Sequence, residues 1–210
     1  MNTIVNLANL ITISRLLPLG LVVLLLYLAG PLPAAAAVPL ILVLQAMDYL
    51  DGVVARRTGQ VTKLGSALDI AMDRLVEFVL WVCFADLDLV PVWVPLVIIA
   101  RGLIVDAIRS YALTLGQTAF GMMHSRLGKF LVSSNFMRHF YGIVKMLAFL
   151  TLAAVHALDR GAWPALAGTR PWLYVIAYTW TVLTVGLCLV RGVPVLFDAP
   201  QVLRRAGGRG

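Results

Sequence analysis

Four aspartates fall at helical spacings in a largely apolar stretch of the chain: Asp48 and Asp51 as an i, i+3 pair, Asp69 and Asp73 as an i, i+4 pair. On a helix each pair shares one face. A short connection, Arg57 to Leu64, folds the two helices into an antiparallel pair, so that four carboxylates converge. Four such groups repel unless cations join them, and carboxylate oxygens with no His or Cys beside them suit hard ions such as Mg²⁺ or Mn²⁺. Four carboxylates can hold two such ions, the arrangement used for displacement at phosphorus. Small residues accompany them. Gly52 follows Asp51, Gly65 opens the next helix and Ala55 keeps the wall shallow, so a ligand can approach the backbone closely. Arg56 is placed to meet a phosphate by paired hydrogen bonds. The plainer alternative is helix packing, with Lys63 and Arg74 neutralising two of the four acids.

The elements that must carry these groups are membrane spans. Of the residues, 61% are hydrophobic and 13% charged, against roughly 45–50% and about 25% in a soluble domain. Six apolar runs approach the length needed to cross a bilayer as helices: 10–29 (with Arg15 inside), 35–55, 65–85, 90–113, 140–158 and 172–190. The expected fold is therefore all-α and integral to the membrane, a single domain over 1–210. An interfacial segment over 1–9 precedes the spans, and a cytoplasmic tail over 192–210 follows them. No cleavable signal is expected at the N-terminus. Gly30-Pro31-Leu32-Pro33, residues 86–91 and residues 156–171 form the joints on one side. Arg56, Arg57, Lys63, Arg126, Lys129, Arg138, Arg204, Arg205 and Arg209 lie on the other side, and only Arg160 and Arg170 face them. Positive residues stay inside, which places both termini and the acidic cluster in the cytoplasm. A net charge of +7 is thus accounted for by topology and anionic ligands, with no nucleic acid as partner. Cys83 and Cys188 are far apart, in apolar runs, and read as small hydrophobes.

The run Asp48-x2-Asp51-Gly52-x2-Ala55-Arg56-x8-Gly65-x3-Asp69-x3-Asp73 resembles, position for position, the motif of the CDP-alcohol phosphatidyltransferases. Eight fixed identities at fixed spacing arise by chance with odds on the order of 10⁻¹⁰ per starting position, at about one in twenty per residue. The resemblance implies two metal ions on Asp48, Asp51 and Asp69, with Asp73 close by and acting as general base. It implies a CDP group against Gly52, Ala55, Arg56 and Gly65, CDP-diacylglycerol entering from the bilayer, and a homodimer. The reaction it implies is transfer of a phosphatidyl group to a small alcohol with release of CMP, in phospholipid biosynthesis at the inner (cytoplasmic) membrane.

Residues 6–12 (Asn-Leu-Ala-Asn-Leu-Ile-Thr) with Arg15 one turn on, and Leu127-Gly128-Lys129, are similar to one branch of that family, the bacterial phosphatidylglycerophosphate synthases, whose acceptor is glycerol 3-phosphate. That chain element usually carries Pro where Ala8 stands, and Asp73-Arg74 is similar to the branch that uses inositol phosphate. A phosphorylated acceptor needs cations beyond the motif. Arg109, Arg126, Lys129, Arg138 and Lys145 lie on the correct side for it. Glu77, one turn beyond Asp73, is read as a structural partner of Arg74; Arg101 and Asp106 could pair, though five residues is poor helical spacing. His156 falls on the far side from the chemistry. A divalent-cation transporter is the competing class. A pore needs polar groups through the membrane's depth, whereas these carboxylates gather near one face.

Overall fold

The computed structural model describes residues 12–57, 63–114 and 134–207. All regular structure among them is helical. After a helical turn at 12–14 come α1 (Leu16–Tyr27), α2 (Pro31–Arg57), α3 (Lys63–Asp86), α4 (Trp93–Thr114), α5 (Asn135–Asp159), a short 3₁₀ helix (Pro164–Thr169) and α6 (Arg170–Gly207). A helix satisfies its own backbone groups, which is what a chain this apolar requires in lipid. Residues 136–159 of α5 and 164–197, mostly α6, are long and apolar enough to cross a membrane. Residues 12–27 and 31–47 are shorter apolar helices. At 1.5 Å per residue α3 and α4 run to about 36 and 33 Å, but charged side chains interrupt their apolar character.

The ends of the helices have local causes. Gly30, at φ 108°, turns the chain between α1 and α2. Pro31-Leu32-Pro33, expected to lie in the turn, instead form the first turn of α2, where a missing N–H costs nothing and proline's φ is already helical. Residues 156–159, where the fifth span was expected to give way to a loop, complete α5. Gly161, at φ 78°, ends it: its N–H donates to the Leu158 carbonyl and that of Ala162 to Ala157. The same paired closure ends α3, with Asp88 N–H to Ala85 and Leu89 N–H to Phe84. There the left-handed position, φ 57°, is held by Asp88 rather than glycine. The region expected as a tail from residue 192 is helical through Gly207. Val195, fully buried, anchors that extension past Pro194; tertiary packing overrides the local break.

The chain forms two compact units. One draws on residues up to Val92 with Met146–Tyr178, the other on Trp93–Lys145 with the chain from Thr179 onward. In the first unit α1 packs on α2 and α3. Its core includes Leu26, Leu44, Leu80, Phe84 and Leu152, with Trp81 and Phe149 meeting edge to face at 4.9 Å between centroids. Buried His156 ties α5 to α1, its Nε2 lying 3.0 Å from the Leu26 carbonyl oxygen. A carbonyl only accepts, so Nε2 carries the proton. Tyr27 donates to Asp86 at 2.6 Å beside it, which joins α1 to α3. Arg170 donates twice to Asp159, at 2.8 and 3.1 Å. In the second unit Ile98, Val105, Val144 and Val195 are buried. Cys83 and Cys188 are both buried and unbridged, as small hydrophobes should be.

Candidate active site

The acidic face of α3 follows from its register. Asp69 and Asp73 stand one turn apart, while Met72, Val76 and Leu80 turn into the core. Both aspartate side chains are about half exposed (47%). Behind them sits Arg15, at the start of α1 and only 1% exposed. Its Nη2 donates to Asp73 Oδ1 at 3.1 Å, and its Nη1 lies 3.8 Å from Asp69 Oδ1. Burying a guanidinium without a carboxylate costs several kcal/mol. The ion pair therefore fixes α1 against α3 as firmly as it sets the two aspartates. One turn further, Glu77 is 2% exposed and accepts from Arg74 Nη1 at 3.2 Å. Arg74 thus serves Glu77 in the structural role expected for that pair. Among the described residues, Arg15 is a cation on Asp69 and Asp73, one that sequence had marked only as part of a likeness to other chains. A signal was present: a cation inside an apolar run demands an anion.

Gly65 lies two residues into α3 and is partly buried. Asp48, Asp51, Gly52, Ala55 and Arg56 belong to the last turns of α2, and their side chains lie outside the described residues, as does that of Arg109 in α4. Arg126 and Lys129 lie outside the described residues altogether. Among the described residues no group of three or more His, Cys, Asp or Glu gathers for a metal. Asp69 and Asp73 are nevertheless suitable as part of an all-oxygen set: adjacent, accessible, and with a guanidinium offsetting their mutual repulsion.

A second cluster occupies the other unit. Tyr141 of α5 is buried, and two cations approach its ring. Lys145 Nζ is 5.7 Å and Arg191 Cζ 5.2 Å from the centroid. Arg101 runs against the adjacent Gly192, where a Cβ would stand 2.8 Å from its Nε. Close approach of α6 to the Arg101 side chain requires glycine here. Lys145 was expected among acceptor-binding cations; Arg191 and Arg101 were not. Arg138, another expected member, is exposed near the start of α5.

Residues 5–190 match the family model described as CDP-alcohol phosphatidyltransferase. The chain belongs to the CDP-alcohol phosphatidyltransferase family. This phosphatidyltransferase-family chain is 36% identical over 119 residues to the CDP-diacylglycerol–glycerol-3-phosphate 3-phosphatidyltransferase of Pseudomonas fluorescens, over 55% of this chain and 60% of that protein. It is 29% identical over 136 residues to the enzyme of the same name from Bacillus subtilis, over 59% of this chain and 69% of that protein. It is also 38% identical over 104 residues to the archaetidylinositol phosphate synthase of Aeropyrum pernix, over 42% and 52% of the two chains. The match thus spans about 60% of the length of the Pseudomonas relative.

Proposed function

We propose that this member of the family transfers the phosphatidyl group of CDP-diacylglycerol to glycerol 3-phosphate and releases CMP. The observation that carries the reading is the Asp69–Asp73 face, half exposed and backed by Arg15, inside the complete eight-residue motif. Asp48, Asp51, Asp69 and Asp73 are proposed to hold two Mg²⁺ or Mn²⁺ ions. Bound there, the ions would neutralise the diphosphate and the departing CMP.

Asp73 takes the proton of the acceptor hydroxyl. The freed oxygen forms a bond to the β-phosphorus, and the bond from that phosphorus to the CMP oxygen breaks. Gly52, Ala55, Arg56 and Gly65 are the proposed seat of the CDP group. Arg109, Arg126, Lys129, Arg138 and Lys145 are the proposed cations for the acceptor's phosphate. The proposed setting is a multi-pass protein of the inner membrane, six spans and cytoplasmic termini, with the site facing the cytoplasm and two copies forming a dimer. The Aeropyrum relative supports a second acceptor, inositol phosphate.

The test is CMP release by the purified protein in nanodiscs with CDP-diacylglycerol and Mg²⁺ or Mn²⁺. Glycerol 3-phosphate, inositol phosphate, inositol and serine are supplied in parallel. Metal-dependent release with glycerol 3-phosphate alone is expected. Release with inositol phosphate instead keeps the reaction and changes the acceptor. No release from folded protein with any of the four removes the proposal.

A further inference from the structure

Arg15 does not touch Asp69 and Asp73 equally. It makes a direct hydrogen bond to Asp73 at 3.1 Å and stands at 3.8 Å, beyond hydrogen-bond range, from Asp69. We infer that Arg15 is a positioning residue for Asp73: it anchors one oxygen of that carboxylate and so fixes the direction in which the other faces the metal ions and the acceptor hydroxyl. The inference rests on the reading of Asp73 as the base.

The physical ground is the competition for carboxylate oxygens. Asp69 and Asp73 are one turn apart on the same face, with equal exposure. Nothing in their helical spacing gives them different work. The guanidinium does. An oxygen that accepts a charge-assisted bond has its direction fixed and is a poorer metal ligand. The anchor is itself rigid, because Arg15 is 1% exposed and begins α1, whose Leu19, Val22 and Leu26 are buried. A surface arginine would fluctuate away; this one has no solvent to go to. Its planar guanidinium also holds the Asp73 bond in a more fixed direction than a freely rotating ammonium would.

The experiment is a double-mutant cycle on the full chain in nanodiscs, with Arg15→Gln, Asp73→Asn and both together. Turnover is read by CMP release, and Mn²⁺ binding is read separately, without turnover, from the free-ion electron paramagnetic resonance signal. Arg15→Gln is expected to lower kcat by about 30-fold or more, with the KM for CDP-diacylglycerol and the Mn²⁺ dissociation constant changed by less than about threefold. The double variant should be no slower than Asp73→Asn alone, since Arg15 acts through Asp73. Arg15→Lys, which keeps the charge and the fold but loses the planar guanidinium, should recover part of the turnover. It replaces the Gln variant in the cycle if that variant does not fold.

Unchanged kcat, a loss of Mn²⁺ affinity matching the loss of kcat, or an Arg15 effect that persists undiminished in the Asp73→Asn background overturns the inference. Full turnover in Asp73→Asn by itself is a different failure: it removes the base, and with it the reading on which the inference rests.

Discussion

Arg15 and Asp73, 58 residues apart in the chain, meet with Nη2 3.1 Å from Oδ1. The contact joins the start of the first helix to the acidic face of the third. It makes the assembly of the acidic site part of the folding of α1 onto α3, because neither charged group is well placed without the other.

Asp73→Asn and Asp48→Asn should separate two roles. With Asp73 as base, its amide variant should lose about 10²- to 10⁴-fold in turnover while retaining more Mn²⁺ binding than Asp48→Asn. Metal titration and CMP release on the two variants check this. Near-normal turnover in Asp73→Asn removes the base assignment.

Lys145, if it meets the acceptor, should read out in the acceptor alone. Lys145→Ala removes one charged donor, a loss of about 1.5–3 kcal/mol at a phosphate, or roughly 10- to 100-fold in KM for glycerol 3-phosphate. The KM for CDP-diacylglycerol should hardly move. Equal changes in both KM values would mean that Lys145 serves packing instead.

Asp88→Gly should stabilise the protein. Asp88 holds a left-handed conformation, φ 57°, at the close of α3, and a side chain there costs on the order of 1 kcal/mol that glycine does not incur. The thermal midpoint in detergent should rise, with turnover unchanged. A fall would show that the Asp88 side chain contributes more than its backbone costs.

His156→Ala should do the reverse. It leaves the Leu26 carbonyl without its buried donor and opens a gap between α5 and α1, a cost of about 1–3 kcal/mol for the hydrogen bond alone. Turnover per folded molecule should persist, since this contact lies at the end of α1 opposite Arg15. Denaturation monitored by tryptophan fluorescence gives the first quantity and CMP release the second.

Much of this protein was legible in its sequence because the signals are short-range. Apolar runs predict helices, and helices follow. Spacing of three and four residues puts Asp48 with Asp51 and Asp69 with Asp73, and in α3 that face is seen. The i, i+3 relation of Arg74 and Glu77 predicts their bond, and it forms at 3.2 Å. Boundaries were less legible wherever proline stood near one. Pro31 and Pro33 start a helix as readily as they end one, and α6 passes through Pro194 because Val195 is buried.

The sequence by itself determined the helical class, the family motif and which residue types could meet metal and phosphate, since all of these are set within a few turns of chain. Tertiary structure alone brought Arg15 to Asp69 and Asp73. Arg74 was nearer in sequence and is engaged by Glu77, whereas Arg15 reaches Asp73 from another helix. Tertiary structure decided likewise that Lys145 shares Tyr141 with Arg191. The physical reason is the same in both cases. A partner that comes from another helix, as Arg15 comes to Asp73 and Arg191 to Tyr141, is brought by packing, and no local periodicity records which residue that will be.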